Sequence, residues 1–325
     1  MTWSAYSIAN NGGGFSPPIL GPDGDMWTAS QATSSYANGT IIRVTPSGSV
    51  AVGNMPLGFD SGYGQSPVIT DGTDMYVTMT DTYPRNWAYQ WSTSLTQIAT
   101  VQMSYDAIGG LVYVGAMYGS TYVGAIATGA TFGGALLAQI MNVGTLSAGI
   151  SSSSGSGFLG FSVYDGAWVW AASGTSIYQI YPPTLTMTSW TLPGTYTGGQ
   201  AQIGRNGSLI YIPCTTGVVV WDTSTATGTL HSSAQMWNCF YSANLGKVIV
   251  SDNAGNVYTM PASGGSLTLL VNLMSVTGTT SLLQSWFGDG LAGSLWVANA
   301  SLPGSGEPSF IFKYTLSTNN IVMLL

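Results

Sequence analysis

The sequence predicts an all-β chain: a single seven-bladed β-propeller of four-stranded antiparallel blades, with an N-terminal strand available to close the ring. A duplicated block is the first reason. Residues 14–29 and 64–78 share Ser-Pro, an apolar pair, an Asp-Gly turn and Asp-Met-aromatic. A recurring aromatic is the second. The centres of the second strands read Trp27, Tyr76, Tyr113, Trp168 or Trp170, Tyr211, Ile249 and Trp296. That is about 45 residues per step, the period of four-stranded propeller blades. Composition is the third. Gly, Ser, Thr and aromatics dominate, and no 3.6-residue period with a charged face competes.

β-branched and aromatic runs bounded by Asp-Gly, Asn-Gly or Pro turns give the elements. Blade 1 spans 12–58, with strands at 16–20, 25–29, 40–44 and 50–55. Blade 2 spans 64–103, with 67–70, 75–79, 87–91 and 96–103. Blade 3, at 104–143, reads as 104–108, 111–117, 122–127 and 135–141. Blade 4, at 157–194, reads as 157–163, 167–172, 176–181 and 187–192. Blade 5, at 199–232, has 200–203, a turn at Arg205-Asn206-Gly207, then 209–213, 217–221 and 228–231. Blade 6, at 235–273, has 235–241, 247–251, 256–260 and 266–273. Blade 7, at 280–325, has 281–287, 294–298, 310–314 and 320–325. Residues 2–8 form an extra outer strand that competes with 320–325 for the last place, since an unclosed ring leaves open end blades.

Composition bounds the function. Charged residues are 5% and hydrophobic ones 45% of 325 residues, which is not the signature of disorder. Solvation must come from neutral polar side chains. That suits an extracellular or particle-borne protein, or an acidic medium, where few carboxylates means little change of charge. Five basic residues, Arg43, Arg85, Arg205, Lys247 and Lys313, against a net charge of −7 exclude nucleic-acid binding. Residues 1–11 carry neither a basic region nor an apolar core and do not read as a secretory signal. Extracellular composition without such a signal fits a virion component. The uncharged stretch 107–164 reads as strands, because polar residues and Gly-Gly pairs interrupt it too often for a membrane span. Cys214 and Cys239 either form one disulfide or are two small buried apolar residues.

Two segments carry a resemblance. Gly39-Thr-Ile-Ile-Arg-Val-Thr-Pro-Ser-Gly-Ser-Val50 resembles the repeat of NHL and streptogramin-lyase-like propellers. Val218-Val-Val-Trp-Asp222 resembles the strand end of a WD-repeat, without the Gly-His that begins such a repeat. Each covers about a dozen residues or fewer of one blade. They imply the superfold, and a superfold does not imply a function. The metal-dependent lyase activity of the first family is not carried over, because the chain holds a single histidine.

Enzymatic chemistry is limited by residue types. His231, beside Thr229 and Ser232, reads as a strand-end histidine rather than the base of a triad. One histidine and two cysteines do not make a zinc site. Asp23, Asp71, Asp165 and Asp289 sit where turns require aspartate, so turn chemistry accounts for Asp23-Gly-Asp25 and Asp71-Gly-Thr-Asp74 ahead of calcium. No cofactor is expected. Loop length is the more informative signal. Second-to-third loops share one face of a propeller. They are short at 173–175, 215–216 and 253–255, and long at 299–309, 30–39 and 80–86. Blades 7, 1 and 2 are neighbours in a closed ring, so the long loops gather. They bring Tyr36, Asn38, Asp81, Tyr83, Arg85, Asn86 and Glu307, with Trp87 at the edge. Aromatics, Asn and scarce charges suit a binding surface, against the alternative of insertions tolerated at exposed tips. The expected function is a non-enzymatic adhesin or assembly module on a virion or cell surface. Its partners would be other virion or surface proteins, or glycans. The competing readings are a secreted carbohydrate-active enzyme using Asp81 and Glu307, and a self-assembling coat or filament subunit.

Overall fold

The computed structural model describes residues 2–8, 15–30, 38–58, 67–80, 85–104, 107–117, 122–131, 134–198, 201–280, 282–301 and 308–315. These form seven four-stranded antiparallel sheets arranged as the blades of a propeller. The chain starts with β1 (Thr2–Ile8). Blade 1 holds β2 (Ile19–Leu20), β3 (Met26–Ser30), β4 (Asn38–Val44) and β5 (Val50–Gly58). Blade 2 holds β6 (Ile69–Thr70), β7 (Met75–Thr80), β8 (Asn86–Trp91) and β9 (Gln97–Ser104). Blade 3 holds β10 (Ala107–Met117), β11 (Tyr122–Ala130), β12 (Leu136–Asn142) and β13 (Ser147–Ser154). Blade 4 holds β14 (Ser162–Tyr164), β15 (Val169–Ser173), β16 (Ser176–Tyr181) and β17 (Thr186–Thr191). Blade 5 holds β18 (Gly204–Asn206), β19 (Leu209–Cys214), β20 (Gly217–Asp222) and β21 (Thr227–Ser232). Blade 6 holds β22 (Asn238–Ser242), β23 (Lys247–Ser251), β24 (Asn256–Met260) and β25 (Thr268–Asn272). A one-turn helix α1 (Leu273–Thr277) follows, capped by the Asn272 side chain and ended by left-handed Gly278. Blade 7 takes β26 (Leu282–Asp289), β27 (Ser294–Ser301), β28 (Ser309–Thr315) and, as its outer strand, β1.

The ring is therefore closed by the N-terminal strand. β1 pairs antiparallel with β28 from Thr2↔Thr315 to Ile8↔Ser309. Tyr6 of β1 stacks on Trp296 with ring centroids 5.9 Å apart. β1 fills the place for which 320–325 competed, and those residues lie outside the described ones. Seven buried clusters occupy the seams between successive blades. One joins Trp286, Trp296 and Ile311 of blade 7 to Phe15, Met26 and Ile42 of blade 1. Another joins Trp170 and Ile177 of blade 4 to Ile210, Val219 and Trp221 of blade 5. Each blade buries both faces, which is why its strands need not alternate apolar with polar.

The duplicated block is a clamp. Asp23 Oδ1 accepts from the Trp27 indole N–H at 3.0 Å and from Asp25 N at 3.2 Å. Asp71 accepts from Thr73 N and Asp74 N on one oxygen, and from the Tyr76 hydroxyl on the other, each at 2.9 Å. Asp165 repeats this with Ala167 N (2.8 Å), Trp168 N (2.7 Å) and the Trp170 indole (2.7 Å). One carboxylate thus closes the turn and fixes the aromatic of the second strand. Burial opposes ionisation of Asp71, but the N–H groups of Asp74 and Thr73 and the Tyr76 hydroxyl hold its carboxyl below the usual range. The Ser-Pro half of the block has its own reason. Ser16 is fully buried, and its Oγ accepts from Ala29 N at 2.9 Å. Pro17, Pro18 and Pro67 lack an N–H, so in blade 1 the pairing breaks between the Phe15–Ser30 bridge and Ile19, and in blade 2 the described ladder begins at Ile69.

Blade 3 corrects the expected strand order. Residues 111–117 belong to the inner strand rather than the second, and 122–127 to the second rather than the third. The outer strand is β13, in a stretch expected to link blades. Gly109-Gly110 is not a turn: it lies inside β10, where the pairing shifts register between Ile108 and Gly110. Tyr113 is consequently an inner-strand residue. In blade 5 the inner strand is Gly204–Asn206 rather than 200–203. Left-handed Gly207 (φ 58°) makes the turn, so Arg205 sits in a strand.

Candidate functional site

In every blade the links from second to third strand, and from outer to next inner strand, leave at the same end of the strands. The long links leave β3, β7 and β27. Of the residues expected to form a site there, Tyr36, Asp81, Tyr83 and Glu307 lie outside the described residues. Asn38 opens β4, its backbone in register with Gly58. Arg85 precedes β8 and lies 5.7 Å from the centroid of the Trp87 ring, a cation–π contact. Trp87 packs partly buried against the seam of blades 1 and 2. Asn86 is fully buried in the ladder between Thr80 and Ser104, so its side chain anchors the loop rather than standing on the surface.

The strand ends that bound these loops carry buried small polar side chains. Ser30 at the end of β3, Asn86 at the start of β8 and Ser309 at the start of β28 are all fully buried. Asn299 of β27, also fully buried, donates to Ser285 Oγ at 2.6 Å. The three loops thus rise from fixed ends on three consecutive blades. Contacts across the seams confirm the adjacency. Lys313 Nζ of blade 7 donates to the Pro46 carbonyl of blade 1 at 2.8 Å. A Cβ on Gly288 of blade 7 would run into the Pro18 carbonyl of blade 1. Arg43 of blade 1 donates to the Thr93 carbonyl of blade 2 at 2.5 Å, and is ion-paired to Asp25 at 3.4 Å.

A second concavity lies on the ring axis. It measures about 410 Å³ and is lined by inner-strand residues including Ile19, Ile69, Tyr113, Phe161, Tyr164 and Arg205. Its size is in the range of small-molecule sites. Gln202 bridges beside it: its side-chain amide donates to the Phe287 carbonyl and accepts from Phe287 N, each at 2.8 Å. Arg205 donates to the carbonyls of Tyr164 (2.9 Å), Asp165 (3.0 Å) and Gly207 (2.9 Å). The guanidinium staples the free edge of blade 4 to blade 5. Neither Gln202 nor Arg205 was singled out by the sequence as a bridge between blades. An arginine beside Asn-Gly reads as a turn residue until the strand pairing is known.

Other residues of chemical interest take structural places. Cys214 and Cys239 are both buried free thiols, so the disulfide alternative is not the one the fold adopts. Burial pushes the Cys214 thiol up to about 12. Burial, and then Cys214 beside it, pushes Cys239 upward as well. His231 Nδ1 accepts from Gly265 N at 3.1 Å, tying blade 5 to the turn after β24. Among the described residues no three His, Cys, Asp or Glu side chains come together as a metal site. None of the described helices is long and apolar enough to cross a membrane, and the stretch 107–143 is strands and their turns wherever it is described.

A closed ring of seven four-stranded antiparallel blades is the seven-bladed propeller, with WD40 domains as structural neighbours. The WD40 domain of Pan2 from Neurospora crassa matches with a TM-score of 0.70 at 10% identity, over 97% of this chain and 96% of that one. U3-55K matches with a TM-score of 0.66 at 12% identity, over 96% and 98%. The WD40 repeats of RRP9 match with 0.63 at 12% identity, over 95% and 96%. These likenesses establish the fold. No family model and no curated protein matches the chain.

Proposed function

We propose that this propeller is a non-catalytic binding scaffold, exposed on a virion or cell surface, that presents the second-to-third loops of blades 7, 1 and 2 to a protein or glycan partner. The observation that carries the reading is their adjacency: the three long loops rise from consecutive blades whose ends are fixed by buried Ser30, Asn86 and Ser309. A rigid frame carrying variable loops is the usual division between scaffold and recognition surface. Among the described aspartates, Asp23, Asp71 and Asp165 clamp their own turns. The low charge content supports the extracellular or particle setting. The test is site-specific photocrosslinking in the cells or particles that produce the protein. A photoreactive residue is placed at Tyr83, or at Ala167 in an exposed turn at the opposite strand ends. Adducts from position 83 and none from position 167 are expected. No adduct at 83, or equal adducts from both, refutes the reading.

A further inference from the structure

The outer strands β1, β5, β9, β13, β17, β21 and β25 each end a sheet, so each leaves one row of backbone N–H and C=O groups without a ladder partner. Soluble proteins blunt such edges with lysine, proline or inward-pointing charge. Here not one of the seven strands contains an Asp, Glu, Lys or Arg. Four of the six exposed large apolar side chains among the described residues lie on outer strands: Val50 and Val52 on β5 (37% and 47% exposed), Ile98 on β9 (51%) and Leu269 on β25 (56%). Charge is placed elsewhere. Asp23, Asp25, Asp71, Asp74 and Asp165 all lie in inner-to-second turns, on one flat face.

We propose that copies of this chain associate rim to rim, with the outer edges of blades 1 and 2 pairing with the corresponding edge of a second copy. The occupant follows from the charge layout. Two copies of a chain of net charge −7 repel when their aspartate faces meet. They meet no opposing charge along the rim. β5 is paired to β4 without interruption from Val50 to Asn54, ahead of Pro56 near its end. Its neighbour β9 adds Ile98. Edge-to-edge pairing joins the open rows of hydrogen-bonding groups while Val50, Val52 and Ile98 leave water. This surface is separate from the loops proposed above.

Sedimentation velocity of the purified full chain, from about 1 to about 100 µM, tests the proposal. Reversible, concentration-dependent association is expected, undiminished by high salt because no ion pair contributes. Val52→Lys, Ile98→Lys and Thr100→Lys, each at an exposed outer-strand position, are expected to weaken it about tenfold apiece. Their urea midpoints are expected to stay at the wild-type value, and any variant whose midpoint falls is set aside in favour of the others. Leu291→Lys, at a 52% exposed position in a turn on the aspartate face, is the control and is expected to leave association intact. Exchange of residues 31–37 for a short Gly-Ser link is likewise expected to leave it intact, which separates this proposal from the loop reading. A wild-type chain that stays monomeric at the top concentration overturns the proposal. So does a Leu291→Lys effect as large as that of Val52→Lys.

Discussion

If one carboxylate in each of blades 1, 2 and 4 both closes a turn and fixes an aromatic, its removal must cost more than a surface substitution. Asp165→Ala is the sharpest case. Three donors lose their acceptor: Ala167 N, Trp168 N and the Trp170 indole. The turn itself is exposed at Gly166 and Ala167, so the two backbone groups turn to water at little cost. Trp170 is 1% exposed and packed in the seam of blades 4 and 5, stacked on Trp190 at 5.7 Å. Its N–H is left without an acceptor, which costs about 1–3 kcal/mol. With the loss of turn closure, the total comes to about 2–3 kcal/mol, or about 3–4 °C in Tm for a domain of this size. Asp165→Asn keeps one acceptor oxygen but sets an NH₂ group against donors, so it falls between wild type and alanine. Urea unfolding followed by tryptophan fluorescence measures this directly, with an unchanged m-value expected. In a double-mutant cycle, Trp170→Phe removes the indole N–H, so Asp165→Ala costs less in that background. A cost below about 0.5 kcal/mol for Asp165→Ala, or a null coupling, refutes the clamp as the reason for the repeat.

Asp71 has a lowered pKa in the folded chain, so its contribution to stability is complete above the unfolded value of 3.8 and is lost as pH falls through the folded value. Wild type should therefore lose stability below about pH 4 more steeply than Asp71→Asn, read from urea midpoints across that window. Deleting residues 1–8 strips β28 of its outer partner and removes Tyr6 from the Trp296 ring. The expected result is a drop in Tm larger than that of any single substitution above; an unchanged Tm would show that the ring is closed by something other than β1.

The sequence betrays most of the fold because the clamp uses residue types with few other reasons to recur. Asp, Gly and an aromatic four or five residues after the Asp are required together, and blades 1, 2 and 4 display them openly. Blade 3 has no such aspartate, and its glycines serve a bulge inside β10 as well as turns, so its strands were displaced by one place. A second repeat stayed hidden. At the third-to-outer turns Leu95, Leu146, Leu185 and Ala226 adopt left-handed φ values of 60°, 43°, 56° and 53°. Each is flanked by hydroxyls that bond across it: Ser94 to Thr96, Thr145 to Ser147, Thr184 to Thr186 and Thr225 to Thr227. Leucine disfavours that conformation, and Leu146 and Leu185 are held there by burial in the core. In a chain so rich in Ser and Thr, Thr-Leu-Thr looks like background until the turns are superposed. The site was legible only as an arrangement. Loop lengths and ring order put the ends of the three long links on consecutive blades, whereas Asn86 reads as a loop residue because a small polar side chain at a strand start is indistinguishable from a loop tip before burial is known.

Scarcity of charge ties these observations together. All eight described acids are held by the fold. Asp25 pairs with Arg43. Asp74 accepts from Gln90. Asp222 accepts from Ser224. Asp252 accepts from Ala254, Asn256 and Tyr258. Asp289 accepts from Ser242, Ala243 and Asn244 across the seam of blades 6 and 7. Asp23, Asp71 and Asp165 are the clamps. The remaining acids, Asp60, Asp81, Asp106 and Glu307, all fall in links that leave from the loop-bearing ends of the strands. These four acids are the ones that the described contacts leave out, and the outer strands carry none. Added salt screens exposed charges over about 8 Å at physiological strength and less above it. A partner held by the loops should let go as salt rises, while copies held rim to rim should not. One titration thus separates the two surfaces, because the fold commits its other aspartates to holding turns and blades together.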